Sequence, residues 1–266
     1  MTIAVGSDQN GKRGKGENQN SVFLAMIALP RPVVPDVQAL VARLRSLWSD
    51  GPRFEEFKVD GEVISFEIGP AVGGIGLIRA PIPEGDLQAA CEVSLEWPEA
   101  AERLKEQRAH LICTVSGPVE KKTAAYFLTK LVAALCVEVP AVGVYWGAAT
   151  LVHDPVVFAS QASEMSLEIL PLYLWIRFAV AAQGDTVTLR TVGMRSLGFM
   201  ELEIVGSSRS PEDIVGFAFN VCHYLLDNGP VLGDGQTIGM SAEEKVPVRH
   251  TASFLDPDEK VYRLAY

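Results

Sequence analysis

Residues 109–153 read AHLICTVSGPVEKKTAAYFLTKLVAALCVEVPAVGVYWGAATLVH. Ala109 to Ser116 is β-rich and ends at Gly117-Pro118, which predicts a buried strand. A helix is predicted from about Glu120 to Val137, with Ala124, Phe127, Leu128, Leu131 and Leu135 on its core face. Lys122 and Lys130 take its solvent side, and Pro140 prevents continuation. Ala141 to Trp146 predicts a short strand, and a turn then delivers His153. A strand, a helix and a strand in this order, with the chain's most regular apolar spacing, make the centre of an α+β globule.

The chain before this centre reads the same way. Met1 to Asn20 is rich in Gly, Asn, Gln and Lys, with Lys12, Arg13 and Lys15 close together, and is expected to be a disordered tail. Ser21 to Leu29 is a continuous apolar run closed by Pro30-Arg31-Pro32, as in a central strand. Pro35-Asp36 opens a helix whose Val37, Leu40, Val41, Leu44, Leu47 and Trp48 form one stripe, stopped at Gly51-Pro52. Phe57 to Ile68 predicts a hairpin turning at Asp60-Gly61. Gly76 to Ala80 predicts a strand after a glycine link at Gly73-Gly74. Pro81-Ile82-Pro83 is an extended corner before a helix from Asp86 to Val93. Trp97-Pro98 opens another helix, with Glu99 and Glu102 at its positive end and Lys105 and Arg108 at its negative end.

Beyond the centre, Asp154-Pro155 caps a helix to about Glu164. Leu172 to Ala181 and Thr186 to Val192 predict a hairpin around Gln183-Gly184-Asp185. Met200 to Val205 is a strand with Leu202 and Ile204 opposite Glu201 and Glu203. Ser210-Pro211-Glu212-Asp213 starts a helix that ends at Asp227, closed by Asn228-Gly229-Pro230. Lys245 to Arg249 and Val261 to Tyr266 predict two final strands around Asp256-Pro257-Asp258. The expected fold is α+β, with largely antiparallel, mixed sheet and packed helices. Residues 21–266 make one domain, or two related halves at 21–165 and 170–266, which share one sheet or pack two.

Composition excludes several functions. Hydrophobic residues make up 48% and charged residues 21%, an ordinary globular mixture. A formal net charge of −10 argues against non-specific binding to nucleic acid or anionic lipid. No run reaches the ~18 apolar residues of a spanning helix, and no signal core precedes the domain, so the expected compartment is the cytoplasm. Cys91, Cys113, Cys136 and Cys222 form no CxxC pair and read as reduced core thiols.

The candidate site residues are few. On the last helix Gly216, Asn220, His223 and Asp227 form one polar row in an otherwise apolar girth. His223 and Asp227 meet at i, i+4, the arrangement that fixes an imidazole for general-base or metal chemistry. The plainer reading of the same row is the wet side of the helix, or a structural buried pair. Trp146 and His153 would line a cleft if they lie at strand ends. Asn228 and the Asp234-Gly235 loop, with Thr237, offer backbone N–H groups to an anion. His110, His153 and His223 match no metal spacing, and no nucleophile elbow or phosphate loop occurs, so no metal and no cofactor is expected.

Six motifs in order resemble a bacterial family catalogued as domain of unknown function 4261. They are A-P-I-P-x-x-D-L (Ala80 to Leu87), R-A-H-L-I-C-T-V (Arg108 to Val115), G-V-Y-W-G (Gly143 to Gly147) with L-V-H (Leu151 to His153), M-E-L-E-I (Met200 to Ile204), H-Y-L-L-D-N-G-P (His223 to Pro230) and D-G-Q-T-I-G (Asp234 to Gly239). The resemblance covers nearly everything after the tail. It implies a bacterial cytoplasmic protein and carries no activity. It places Trp146, His153, His223, Asn228 and Asp234 inside the motifs. The expected function is a non-catalytic module that binds a protein partner, basic by charge complementarity, of the adaptor or toxin-immunity kind. The rival expectation is a small-ligand binder or enzyme with a cleft lined by Trp146, His153, His223 and Asp227.

Overall fold

Three helices begin where side-chain oxygens take up free backbone N–H groups. Asp36 accepts from the Ala39 N–H at 3.0 Å. Asp154 accepts from Val156 and Val157 at 2.9 and 3.1 Å. Ser210 accepts from Asp213 at 3.1 Å. The computed structural model describes residues 4–5, 22–48 and 53–266. Apart from Ala4–Val5, the expected tail, together with Ser21 and the Gly51-Pro52 stop, lies outside these residues.

In chain order the elements are β1 (Ala4–Val5), β2 (Phe23–Leu29), α1 (Val37–Leu47), β3 (Phe54–Asp60), β4 (Val63–Ile68), β5 (Ala71–Ile78), α2 (Glu84–Val93), α3 (Ala100–Arg103), β6 (Ala109–Ser116) and α4 (Lys121–Glu138). Then follow β7 (Gly143–Trp146), β8 (Leu151–His153), α5 (Pro155–Ser163), α6 (Leu172–Trp175), β9 (Arg177–Gln183), β10 (Thr186–Val192), β11 (Leu202–Ser207), α7 (Pro211–Asn228), β12 (Thr237–Gly239), β13 (Val246–Ala252) and β14 (Lys260–Leu264). The fold is α+β, with two mostly antiparallel sheets. The chain divides into two units, one of Glu17–Trp175 and one of Met1–Gly16 with Ile176–Tyr266.

In the Glu17–Trp175 unit the strand order is β3-β4-β5-β6-β2-β7-β8, all antiparallel. An interior strand is β2, where Ile27 lies opposite Leu111 of β6 and Val144 of β7. Both of its faces are covered, which is why it reads as an unbroken apolar run. The helix α4 packs on β2 and β6, with α1 and α5 beside it. Its Leu128, Leu131 and Leu135 are fully buried, each contributing about 2 kcal/mol.

Several expectations need correction in this unit. Lys130 is not on a solvent face but only 2% exposed. The neighbouring helices cover more of α4 than its sheet-facing stripe. The Lys130 ammonium sits 4.5 Å from the Tyr126 ring and 5.2 Å from the Trp48 ring. Burial lowers its pKa to about 8. The hairpin turn is Gly61-Glu62, with Asp60 opposite Val63 and Gly61 at φ 60°. It is still a tight turn with a left-handed glycine, placed one residue later than the Asp-Gly pattern suggested.

Gly73-Gly74 is no link. Both glycines sit inside β5, between β4 and β6. Gly73 lies opposite Phe66, whose ring covers it: a Cβ there would meet Phe66 Cε2 at 2.1 Å. The ring also stacks on Phe57 at 5.2 Å. An aromatic that shields a strand glycine has no room for a methyl group. Gly73→Ala is therefore expected to cost about 1–3 kcal/mol through displacement of Phe66. A urea titration checks it, and an unchanged midpoint would contradict the packing.

In the unit containing Ile176–Tyr266 the strand order is β1-β12-β13-β14-β11-β10-β9. Among the described residues only β11 and β14 pair in parallel. Leu172–Trp175, expected as strand, is the short helix α6, and the strand begins at Arg177. The turn α6 belongs to the Glu17–Trp175 unit, and within it Trp175 Nε1 donates to Thr129 Oγ1 of α4 at 2.7 Å. Leu189, Ile204, Leu264 and Val248 lie side by side across β10, β11, β14 and β13. This buried row and Ile214, Phe217, Val221 and Leu225 of α7 form the unit's core.

Candidate functional site

Pro81-Ile82-Pro83 crosses the surface of the Glu17–Trp175 unit as an extended strap. A proline on each side of Ile82 removes two N–H donors and holds the backbone extended. The remaining N–H, of Ile82, donates to Gln107 Oε1 at 2.9 Å, and Gln107 Nε2 donates back to the Ile82 carbonyl at 3.5 Å. His110 Nδ1 holds the Ala80 carbonyl at 2.8 Å, just ahead of the strap. Between the strap, α2 and α3 lies an open groove of about 670 Å³.

Its walls are apolar: Ile82, Pro83, Leu87, Ala101 and Leu104. Beneath it Trp97, Ala100, Tyr145 and Val152 complete a packed cluster. Glu84 and Glu92 mark the α2 rim, and Lys105 and Arg108 the opposite rim. Cys91 lines the groove as a half-buried thiol. Burial, and then Glu92, raise its pKa, so it is a poor nucleophile. The arrangement offers a greasy trough between two short charged borders.

This groove was not singled out in the sequence. Its signal was present as the Pro-Ile-Pro corner followed by two short helices, read only as a change of direction.

The residues that were singled out stand elsewhere. Trp146 is 1% exposed, its ring 6.2 Å from Phe158. His153 is 9% exposed, 5.7 Å from the same phenyl ring, and bonded to the Leu174 backbone. Its Nε2 is buried with no hydrogen-bond partner. Burial lowers the His153 pKa to about 4, so the ring is neutral at ordinary pH. Both residues belong to the Glu17–Trp175 unit, while the other four candidates belong to the second unit.

There, His223 Nδ1 lies 2.9 Å from Asp227 Oδ2 on α7, both partly exposed. Asn220 Nδ2 caps the Gly216 carbonyl of the same row at 2.7 Å. Asn228 Nδ2 donates to the Tyr224 carbonyl at 2.9 Å. Asp234 Oδ1 accepts from the His250 N–H at 2.8 Å, and that bond, then Arg249, holds its carboxyl below the usual range. The loop's amides are spent internally: Gly235 on the Val248 carbonyl, Gln236 on the Gly233 carbonyl and Gly233 on Gln236 Oε1. Among the described residues no group of three or more His, Cys, Asp or Glu is placed to hold a metal ion.

The same unit holds a charged network that alternation alone does not reveal. Glu203 of β11 is fully buried. Arg190 Nη1 of β10 donates to its Oε1 at 2.6 Å, and Arg263 Nη2 of β14 donates to its Oε2 at 2.7 Å. Ser253 Oγ donates to Oε1 at 2.5 Å. Arg190 Nη2 continues to Glu259 Oε2 at 2.5 Å. Burial pushes the Glu203 carboxyl up, but Ser253 and the two arginines outweigh it and hold its pKa below the ordinary value. Glu201 behaves oppositely: burial raises it, despite bonds from Thr191 and the Gly193, Met194 and Arg195 amides. Its four bonds pin the loop between β10 and β11.

A family model described as Domain of unknown function (DUF4261) matches residues 190–265. The match contains the whole of this network and the Met200–Ile204, His223–Pro230 and Asp234–Gly239 motifs. The three earlier motifs lie outside it. No curated protein and no solved structure matches the chain.

Proposed function

We propose, for a chain whose residues 190–265 match a domain of unknown function, that it is a non-catalytic module that binds a protein partner, of the adaptor or toxin-immunity kind. The observation that carries this reading is the apolar groove between Pro81–Pro83, α2 and α3. An open trough of this composition suits the apolar face of a partner helix or strand better than a reacting substrate. The acidic α2 rim and the net charge of −10 favour a partner with basic residues beside its apolar anchors, captured faster for that reason. Four unpaired cysteines suit a reducing compartment, and we place the protein in the cytoplasm. Among the described residues no helix is long and apolar enough to cross a membrane.

Ala101 is exposed on the groove wall, so Ala101→Trp fills the trough without disturbing the core beneath. Capture from native lysate should return a partner with the wild-type chain. The variant should bind that partner about a hundredfold more weakly, with circular dichroism unchanged. Equal capture by both, or no partner from either, would count against the reading.

The rival reading is a small-ligand binder or enzyme acting through Trp146 and His153 in one unit, or through His223 and Asp227 in the other. The buried, unpartnered Nε2 of His153 is what favours it. A thermal-shift screen with metals and small molecules separates the two, because only a ligand held by the folded chain raises the melting temperature.

A further inference from the structure

Among the described residues the two sheets have four outer strands: β3, β8, β1 and β9. An outer strand invites pairing unless it is short, charged, bulged or capped. β3 carries Glu55, Glu56, Lys58 and Asp60, with an irregularity between Glu55 and Lys58 and Glu56 at φ 52°. β8 has three residues, and its Val152 N–H is taken by Ser94 Oγ at 2.9 Å. β1 has two residues. β9 has none of these devices. Its seven residues are Arg177, Phe178, Ala179, Val180, Ala181, Ala182 and Gln183, with one charge at the start, no proline and no break in register against β10. Val180 is 38% exposed, and Ala181, Ala182 and Gln183 are exposed.

We propose that β9 pairs antiparallel with β9 of a second copy of this chain, joining the two seven-stranded sheets across a twofold axis. The register supports a self-partner. Gln183 and Thr186 flank the two-residue loop and form the bonded pair of the β9–β10 hairpin, so alternation turns the Val180 and Ala182 amide groups outward. With Val180 on the axis, Val180 hydrogen-bonds its own copy. Ala179 then faces Ala181, Phe178 faces Ala182, and Arg177 faces Gln183. No like charges meet, and the one aromatic, Phe178, lies opposite the small Ala182. Each copy has one such edge, so the assembly closes at two. A contact confined to one strand pair is small, below about 1,200 Å². Its dissociation constant is accordingly expected in the micromolar range, on the order of 10 μM.

Sedimentation velocity on the full chain across about 1 to 300 μM is the test. The wild type is expected to pass from monomer to dimer, and the Val180 amide to gain protection from hydrogen exchange over the same range. Val180→Pro removes an outward donor without taking a bond from β10, and should keep the chain monomeric. Ala181→Lys, at an exposed position, sets a cation diagonal to the second copy's Arg177 and should raise the dissociation constant at least about tenfold. This second variant keeps the test decisive if the proline disturbs folding. A monomer at every concentration, assemblies larger than a dimer, or a dimer indifferent to both substitutions in folded protein would overturn the proposal. The groove is untouched by either variant, so partner capture there is read separately.

Discussion

Glu203→Ala is expected to lower the unfolding free energy by about 3–5 kcal/mol, the cost of leaving buried charge without its counter-charge. Two guanidinium groups converge on Glu203, and Arg190, the more buried, is 12% exposed at its side chain. Removing the carboxylate leaves Arg190 beside Arg263 with Glu259 as the remaining carboxylate of the network, since Ser253 Oγ and the Ala252 carbonyl, which also accept from them, carry no charge. Urea unfolding at pH 7 measures the loss. Replacing Glu203, Arg190, Arg263 and Glu259 together by apolar residues of similar volume should restore most of it, because an ionised cluster and a packed apolar one are close in net stability. If Glu203→Ala costs less than ~1 kcal/mol, the network is not what holds β10, β11 and β14 in register.

The second large effect is a loss of stability in mild acid that traces to His153. Its folded pKa, about 4, lies below the ordinary 6.5. Above pH 6.5 neither state carries the proton, and His153 contributes no pH dependence. Between 6.5 and 4 the unfolded chain binds a proton that the folded chain refuses, so stability falls as pH falls, by about 3 kcal/mol in all. His153→Leu should flatten this limb, and the gap between wild type and variant should shift by that amount between pH 7 and pH 4. A gap that stays constant would show that the imidazole titrates normally in the fold. Glu203 acts in a lower window. Its folded pKa is below the ordinary 4.5, so its contribution is present above 4.5 and lost as pH falls further. Glu201, whose pKa is raised, works in the opposite direction near the same pH, and cancels when wild type and His153→Leu are compared.

Local chemistry was the most legible part of the fold. The strand Ala109–Ser116 was read with its observed bounds, and α4 and α7 to within about a residue at each end. The caps at Asp36, Asp154 and Ser210 were read from residue type alone, because a cap is set by atoms within three residues of one another. The failures have equally plain causes. Gly73-Gly74 looked like a turn because the phenyl ring that makes glycine necessary there comes from another strand. Lys130 looked solvated because the helix's own spacing sets it beside Tyr126 at i, i+4 but cannot show that Trp48 closes over it. The Leu172–Trp175 turn reads as strand because four bulky apolar residues carry no period long enough to tell the two apart.

The candidate site divided along the same line. The His223–Asp227 pair was visible because i, i+4 contacts follow from helix geometry. Trp146 and His153 were recognised as distinctive but not as packed, since burial is a property of what surrounds a residue. The groove needed α2, α3 and the Pro81–Pro83 strap in place, and the Glu203 network needed three strands aligned in register.

The amino-acid order alone settled the α+β class, the helix starts and stops, and the apolar spine of β2, β6 and α4, because each depends on neighbours a few residues away. Tertiary structure alone decided which charges are buried, which strand edges stay open and where a trough forms. Those depend on contacts between segments tens of residues apart, and no periodicity in the chain encodes them.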